Sequence, residues 1–419
     1  NDSAITKNKR HEDKAMLKKL SIAVLLALGA SSGQAAEFLL TDAQQGLDVG
    51  DWKITSDKLG IKSPVPFSIE KKRLHGGRQE GVDLLIVDNG VMKITLVPTR
   101  GMGIKEVKGA DVRLGWDSPV KEVVNPAFID LESRAGLGWL DGFNEMLVRC
   151  GYEWTGHPGV DDDGRLKSLH GRVQNIPASV VSVTVDEEPP YAIHVRGRVD
   201  ERTFKMSELV TWTQLSVVPG QAEFALQDKL TNHADYENEY QIIYHGNFGA
   251  PILEEGARVS TPVKQISPFN DYAKAGLKGW QSYLGPTKGF DEMVFNLVPY
   301  SDAEGNTLAV LNNKAGNVGV AVGYNTHQLP VLTLWKNTDT RAQGYVTGIE
   351  PGTSYAYSTK YQRPLGLVPK IQPGETKTFD LTYRLLRNGD EVKQALAEVD
   401  KIQGGRPTEM RELPLVKLP

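Results

Sequence analysis

Past residue 60 the chain is written in short runs with period two, broken by Gly, Pro, Asn and Asp, and this pattern constrains the fold more than any other feature. In the run 191–200, Ile193, Val195 and Val199 fall on one face, and His194, Arg196, Arg198 and Asp200 on the other, as expected of a strand with one buried and one wet face. Similar runs occur at 82–87, 91–97, 178–185, 208–218, 222–230, 239–244, 293–298, 308–311, 318–322, 331–335, 344–349 and 376–386. No helical pattern of comparable length separates them. Parallel strands need long crossovers, usually helical, so the pattern excludes Rossmann and TIM architectures and favours antiparallel pairing. The expected fold class is mainly all-β, one large antiparallel sandwich with long loops near 115–175 and 246–292. A single helix is predicted over 391–402, where Val392, Leu396, Val399 and Ile402 share a face and Gly404-Gly405 stops it.

Residues 16–35 read as a secretory signal: Met16-Leu-Lys-Lys is followed by an apolar run from Leu20 to Ala30 and a small-residue site at Ala35 or Ala36. The run is too short to span a bilayer. The predicted organisation is an upstream segment 1–15, the signal 16–35, an N-terminal extension 36–64, a catalytic domain 65–388, and a C-terminal helix and tail 389–419. A periplasmic location is expected, with no membrane contact after signal cleavage, and the single Cys150 suits an oxidising compartment. With 48 basic against 52 acidic residues and a net charge of −4, a nucleic-acid partner is not expected. Oligomeric state is not legible.

Of eight histidines, two stand out. His170 precedes Gly171 and Arg172, and the glycine allows close approach of a ligand or another backbone. His245 ends an apolar strand just before the turn Gly246-Asn247-Phe248-Gly249. His75, His157, His233 and His327 read as solvated loop residues, and His194 as the polar face of a strand. Glu350 closes the apolar strand 344–349 and is held extended by Pro351: it is either an exposed strand-end charge or a base facing a pocket. Tryptophans such as Trp116, Trp139 and Trp335 are the type that stacks on sugar rings, although in a β protein they more often fill the core.

Several motifs fail. Asp161-Asp162-Asp163-Gly164 resembles part of a calcium loop, but its register puts Gly159 and His170 where acidic ligands are needed. Gly101-Met102-Gly103 lacks the third glycine and the βαβ context of a dinucleotide site. No close-spaced ligand pair supports a metal, and no cofactor is expected.

Taken together, Pro98-Thr-Arg100-Gly101-Met102-Gly103, Gly115-Trp116, Arg149-Cys150-Gly151, Leu169-His170-Gly171-Arg172, Tyr244-His245-Gly-Asn247-Phe-Gly249 and Ile349-Glu350-Pro351 resemble the aldose 1-epimerase (galactose mutarotase) superfamily, across roughly residues 65–388. The resemblance implies a β-supersandwich of the galactose mutarotase type and a small carbohydrate substrate. It also implies His245 as general acid, Glu350 as general base, and His170, Arg172, Asn247 and Arg100 as substrate contacts; Arg149, Asp271 and Asp291 are further candidates for the sugar-binding Arg or Asp. Acid and base are expected on different sides of the sugar ring, with a nearby carboxylate keeping His245 protonated. The sequence departs from the familiar pattern after His245 and after Glu350, which points to a different pocket. Two other functions fit the same residues, a carbohydrate lyase or glycoside-cleaving enzyme and a non-catalytic sugar-binding module.

Overall fold

The computed structural model describes residues 35–110 and 112–418. The upstream segment and the signal, apart from Ala35, lie outside the described residues.

Two large sheets share one hydrophobic core. The first has ten strands in the order Arg258–Ser260, Asn306–Asn312, Gly319–Asn325, Thr376–Leu386, Glu223–Asn232, Glu208–Val217, Ile193–Arg202, Val180–Asp186, Ala35–Asp42 and Leu47–Asp48. The second, of thirteen strands, runs Glu409–Met410, Val263–Pro268, Met293–Pro299, Val331–Asn337, Val346–Gly352, Gln241–Phe248, Leu147–Tyr152, Gly103–Lys108, Lys93–Val97, Asp83–Asp88, Ser68–Arg73 and Trp52–Thr55, with Arg113–Leu114 paired to Gly103–Lys108. Pairing within the sheets is antiparallel except where Gln265 and Ile266 meet Glu409 and Met410. Val183, Val195, Leu215, Leu226 and Tyr383 of the first sheet meet Ile94, Leu96, Ile104, Ile242, Tyr244 and Ile349 of the second in the shared core. The all-β expectation holds, and alternation along each strand is what points these residues inward.

The helix spans Gly389–Gln403. Asn388 caps it, its side chain accepting from the main-chain N–H groups of Asp390 and Glu391, and Gly404 ends it in the left-handed region at φ 59°. Its buried face, Val392, Ala395 and Val399, packs on Leu308, Val310, Ala321 and Leu386, covering the outer side of the first sheet.

Three expectations are corrected. The segment 36–64 is integral to the sandwich: Ala35–Asp42 pairs with Val180–Asp186 in one sheet and Trp52–Thr55 with Ser68–Arg73 in the other. The long loops carry strands, Leu147–Tyr152 in one and Arg258–Ser260 and Val263–Pro268 in the other. His194 is buried, with Nδ1 2.8 Å from Ser216 Oγ on the paired strand, because that face of the first sheet is only partly wet.

A polar knot crosses the core. Arg149, fully buried, reaches from the second sheet to Asp228 on the first. The carboxylate accepts from the Arg149 Nε and Nη2, from Thr213 Oγ1 at 2.7 Å and from Tyr244 Oη at 2.8 Å, while Arg149 Nη1 donates to the carbonyls of Gly101 and Met102. Burial opposes the charge on Arg149, but Asp228 outweighs it and holds the guanidinium protonated. Arg149 is therefore a core residue and not a sugar ligand.

Candidate functional site

The strand Gln241–Phe248 lies between Val346–Gly352 and Leu147–Tyr152, and both of its faces are buried. Ile242, Tyr244 and Phe248 point into the inter-sheet core. Ile243 faces outward into a second cluster with Trp116, Trp139, Phe143, Val148, Cys150, Leu169 and Val346, and period two puts His245 and Asn247 on that face too. The register that sets Gly246 against Ile349 and Ile243 against Gly352 places His245 opposite Glu350. His245 Nε2 lies 3.2 Å from Glu350 Oε1.

Asn247 decides which nitrogen of His245 carries the proton. Its Nδ2 donates to the carbonyls of Glu145 and His245, at 3.0 and 3.1 Å, which turns Oδ1 toward His245 Nδ1 at 2.7 Å. Nδ1 is therefore the donor, and neutral His245 offers the Nε2 lone pair to Glu350. Burial pushes His245 down to about 4, against the raising effect of the Asn247 bond. Burial pushes Glu350 well above the usual carboxylate range, and the Glu292 charge pushes it further. Both shifts favour the neutral pair, with the proton on Glu350 and an empty acceptor at Nε2. The contact is close but off the hydrogen-bond axis, so Oε1 has no hydrogen-bond partner among the described residues.

His170 arrives from the segment that covers this face. Its N–H donates to Gly156 O at 2.8 Å and its carbonyl accepts from Gly151 N–H at 3.0 Å, which fixes it at φ 58°. Its ring stands edge-on to His245 with centroids 5.3 Å apart, and its buried Nδ1 has no hydrogen-bond partner among the described residues. Burial, together with His245 and His157, keeps it neutral. Gly171 is required here because a Cβ would stand 2.3 Å from Trp154 O and 2.4 Å from Gly151 O. The close approach expected at this glycine is thus made by the protein backbone.

Aromatic rings wall the histidines: Trp139 lies 4.8 Å from His170, Phe143 5.4 Å and Trp335 5.5 Å from His245, all between ring centroids. Trp335 is half-buried, and its Nε1 donates to Glu292 Oε2 at 2.8 Å. Glu292 is exposed, and His157, placed 5.0 Å from the Phe269 ring, feels its charge. His157 is thus part of the rim, not a solvated loop residue.

His170, His245 and Glu350, drawn from three distant segments, therefore come together. Arg100 does not reach the open face: its side chain is 1% exposed and bonds Glu145, Val124 O, Asn175 Oδ1 and Gly142 O beneath the site. Burial opposes ionisation of Glu145, but Arg100 keeps it charged, and its main-chain carbonyl receives Asn247. Arg172 bonds Glu201 and Glu153 and lies over Trp154, so its guanidinium is not free for a sugar. Asn247 is fully buried and orients His245 instead of lining the pocket. The residues expected as acid and base, His245 and Glu350, also stand in contact on adjacent strands, and burial favours neutral His245 in spite of the carboxylate. Sequence reasoning missed Phe143, Glu292 and His157; none lies in a motif, and only three-dimensional proximity singles them out. Among the described residues no group of three or more His, Cys, Asp or Glu is placed to hold a metal.

The chain matches the model of a domain of unknown function, DUF4432, over residues 79–385. It is similar to a candidate aldose 1-epimerase from Klebsiella pneumoniae subsp. pneumoniae MGH 78578, with 56% identity over 92% of this chain and 100% of that one and a TM-score of 0.90. A galactose mutarotase-like protein from Clostridium acetobutylicum shares the fold at 15% identity, covering 76% of this chain and 98% of that one, with a TM-score of 0.52. No curated protein matches. With the domain model spanning most of its length and a relative of this identity matched from end to end, the chain belongs to the DUF4432 family, within the aldose 1-epimerase (galactose mutarotase)-like superfamily.

Proposed function

We propose that this protein is an exported aldose 1-epimerase that interconverts the anomers of a sugar hemiacetal at His245 and Glu350. The observation that carries this reading is the buried pair, His245 Nε2 3.2 Å from Glu350 Oε1, walled by the Phe143 and Trp335 rings. Opening a cyclic hemiacetal requires a proton to leave the anomeric hydroxyl and another to reach the ring oxygen as the C1–O5 bond breaks. Those two oxygens are bonded to the same carbon, so two groups side by side reach both from one direction.

In the direction implied by the superfamily, anionic Glu350 takes the hydroxyl proton and cationic His245 protonates the ring oxygen. That leaves neutral His245 and protonated Glu350, the state burial favours here. The pair therefore relaxes as the ring opens, and the reverse transfer closes it after rotation about C1–C2. The same pair also works in the opposite sense, with Nε2 as base and the Glu350 carboxylic acid as donor. His170, neutral and with Nδ1 unpartnered, is placed to hydrogen-bond a sugar hydroxyl, and the Trp139, Phe143 and Trp335 rings suit the apolar face of a pyranose.

The test is anomer exchange by NMR saturation transfer across a panel of free aldoses, for wild type and Glu350→Gln. Acceleration by wild type alone supports the assignment. A fully active Glu350→Gln removes Glu350 from the mechanism, and silence of folded wild type across the panel, with release of free sugar from glycosides, replaces mutarotation by bond cleavage.

A further inference from the structure

Deepening the mutarotase reading, on which it rests, we propose that the site selects an uncharged sugar and rejects anionic ones, such as uronic acids and sugar phosphates, with Glu292 at the rim as the selecting group. The groups facing a ligand are two carboxyl groups, Glu350 in the floor and Glu292 at the solvent edge, three imidazoles, His157, His170 and His245, and the rings of Trp139, Phe143 and Trp335.

Recognition of an anionic sugar needs the opposite: a free guanidinium or ammonium, since removing an anion from water without one is costly. The surrounding cations are engaged by the protein: Lys105 and Lys336 donate to the main-chain carbonyls of Asn144 and Trp280, at 2.6 and 2.9 Å, and four others are held by carboxylates. Arg100 is paired with Glu145 under the floor, Arg172 with Glu153 and Glu201, and Lys167 and Arg363 both with Asp161. Arg363 is also bonded to Glu239. No Lys or Arg among the described residues lies within ion-pair distance of Glu292 or Glu350. The three imidazoles do not replace them, because burial disfavours the charged form of each.

Glu292 is placed to act on whatever enters. Its Oε2 is held by Trp335 Nε1, and its charge reaches both His157 and Glu350. A carboxylate or phosphate on the bound ring meets this uncompensated negative charge, whereas hydroxyl groups find acceptors and neutral donors.

The experiment measures both binding, by ligand-observed NMR titration, and anomer exchange for glucose and galactose against glucuronate and galacturonate, in wild type and Glu292→Gln. Gln retains an acceptor for Trp335, so the substitution changes charge and little else. The neutral sugars are expected to be favoured by at least about tenfold, and Glu292→Gln to narrow that gap by roughly fivefold or more, as removing one unit charge at short range does. Uronates bound as well as the neutral sugars, or a gap that Glu292→Gln leaves untouched, would overturn the assignment. Preferential binding of neutral sugars without faster anomer exchange would sink the mutarotase reading and keep the charge selection. Absence of binding by either class would sink both.

Discussion

Two buried acid–base pairs lie on opposite faces of the same sheet, and they are built differently. On the core face Arg149 and Asp228 form a closed knot: the carboxylate has four donors and the guanidinium two further carbonyls. On the outer face Glu350 Oε1 and His170 Nδ1 are buried without hydrogen-bond partners among the described residues, and His245 and Glu350 are both driven toward neutrality. A satisfied buried pair is fixed in one protonation state, whereas an under-satisfied one is left able to exchange a proton. The contrast separates structure from chemistry on strands only a few residues long.

The strongest way to break the comparison is Glu350→Gln, which should lower anomer exchange by about 10²–10⁴-fold while leaving the thermal midpoint unchanged or raised. A comparable loss of stability in this variant would mean that the outer pair is structural after all. Next, Arg149→Met strands Asp228 in the core and should cost roughly 3–5 kcal/mol in denaturant unfolding. A cost near zero would show that the knot is not what ties the two sheets.

The pH dependence of stability sharpens the contrast further. His245 titrates near 4 when folded against 6.5 unfolded, while Glu350 is raised above its unfolded 4.5. Glu350, raised, contributes stability that is fully present below its unfolded 4.5 and is lost as pH rises through its folded pKa. His245, lowered, acts with the opposite sign: as pH falls from 6.5 to about 4 only the unfolded state takes up its proton, and stability is lost. The two slopes oppose each other where they overlap. Glu350→Gln should remove the first slope and unmask the second, a loss of stability as pH falls from 6.5 to about 4, as read by urea midpoints from pH 4 to 9.

Asn247→Ala frees the tautomer of His245 and should reduce kcat by roughly tenfold with little change in KM, the effect of losing a group that orients an imidazole. The smallest effect is remote from both pairs: Asn388→Ala should destabilise the helix end by about 1 kcal/mol without changing kinetics.

What the sequence made legible follows from where polarity alternates. Strands with one wetter face, such as Val180–Asp186 and Ile193–Arg202, announce themselves, as does the capped helix. Leu147–Tyr152 does not, because it is buried on both sides and its Arg149 and Cys150 give no alternation to read. His170, His245 and Glu350 were reachable through resemblance. The work of Arg100 and Asn247 was not, since an Arg beneath a pocket and an Arg lining it look identical until Glu145 is seen facing it. Glu292 stands beside Asp291 in a stretch with no motif, and only the Trp335 bond distinguishes the two.

The two-faced strand Gln241–Phe248 has a consequence for how such a protein can diversify. Tyr244 is tied to Asp228 in the core, and the next residue, His245, meets Glu350 on the other face. A shift in this strand that retunes one disrupts the other, so His245 is anchored to a strand buried on both faces. Variation in ligand preference is then left to the covering segments that bring Trp139, Phe143, His157 and Glu292 to the rim. Under the proposed mutarotase reading, exchange of those segments, with the central strands untouched, is the route by which new sugars become accessible to the same pair.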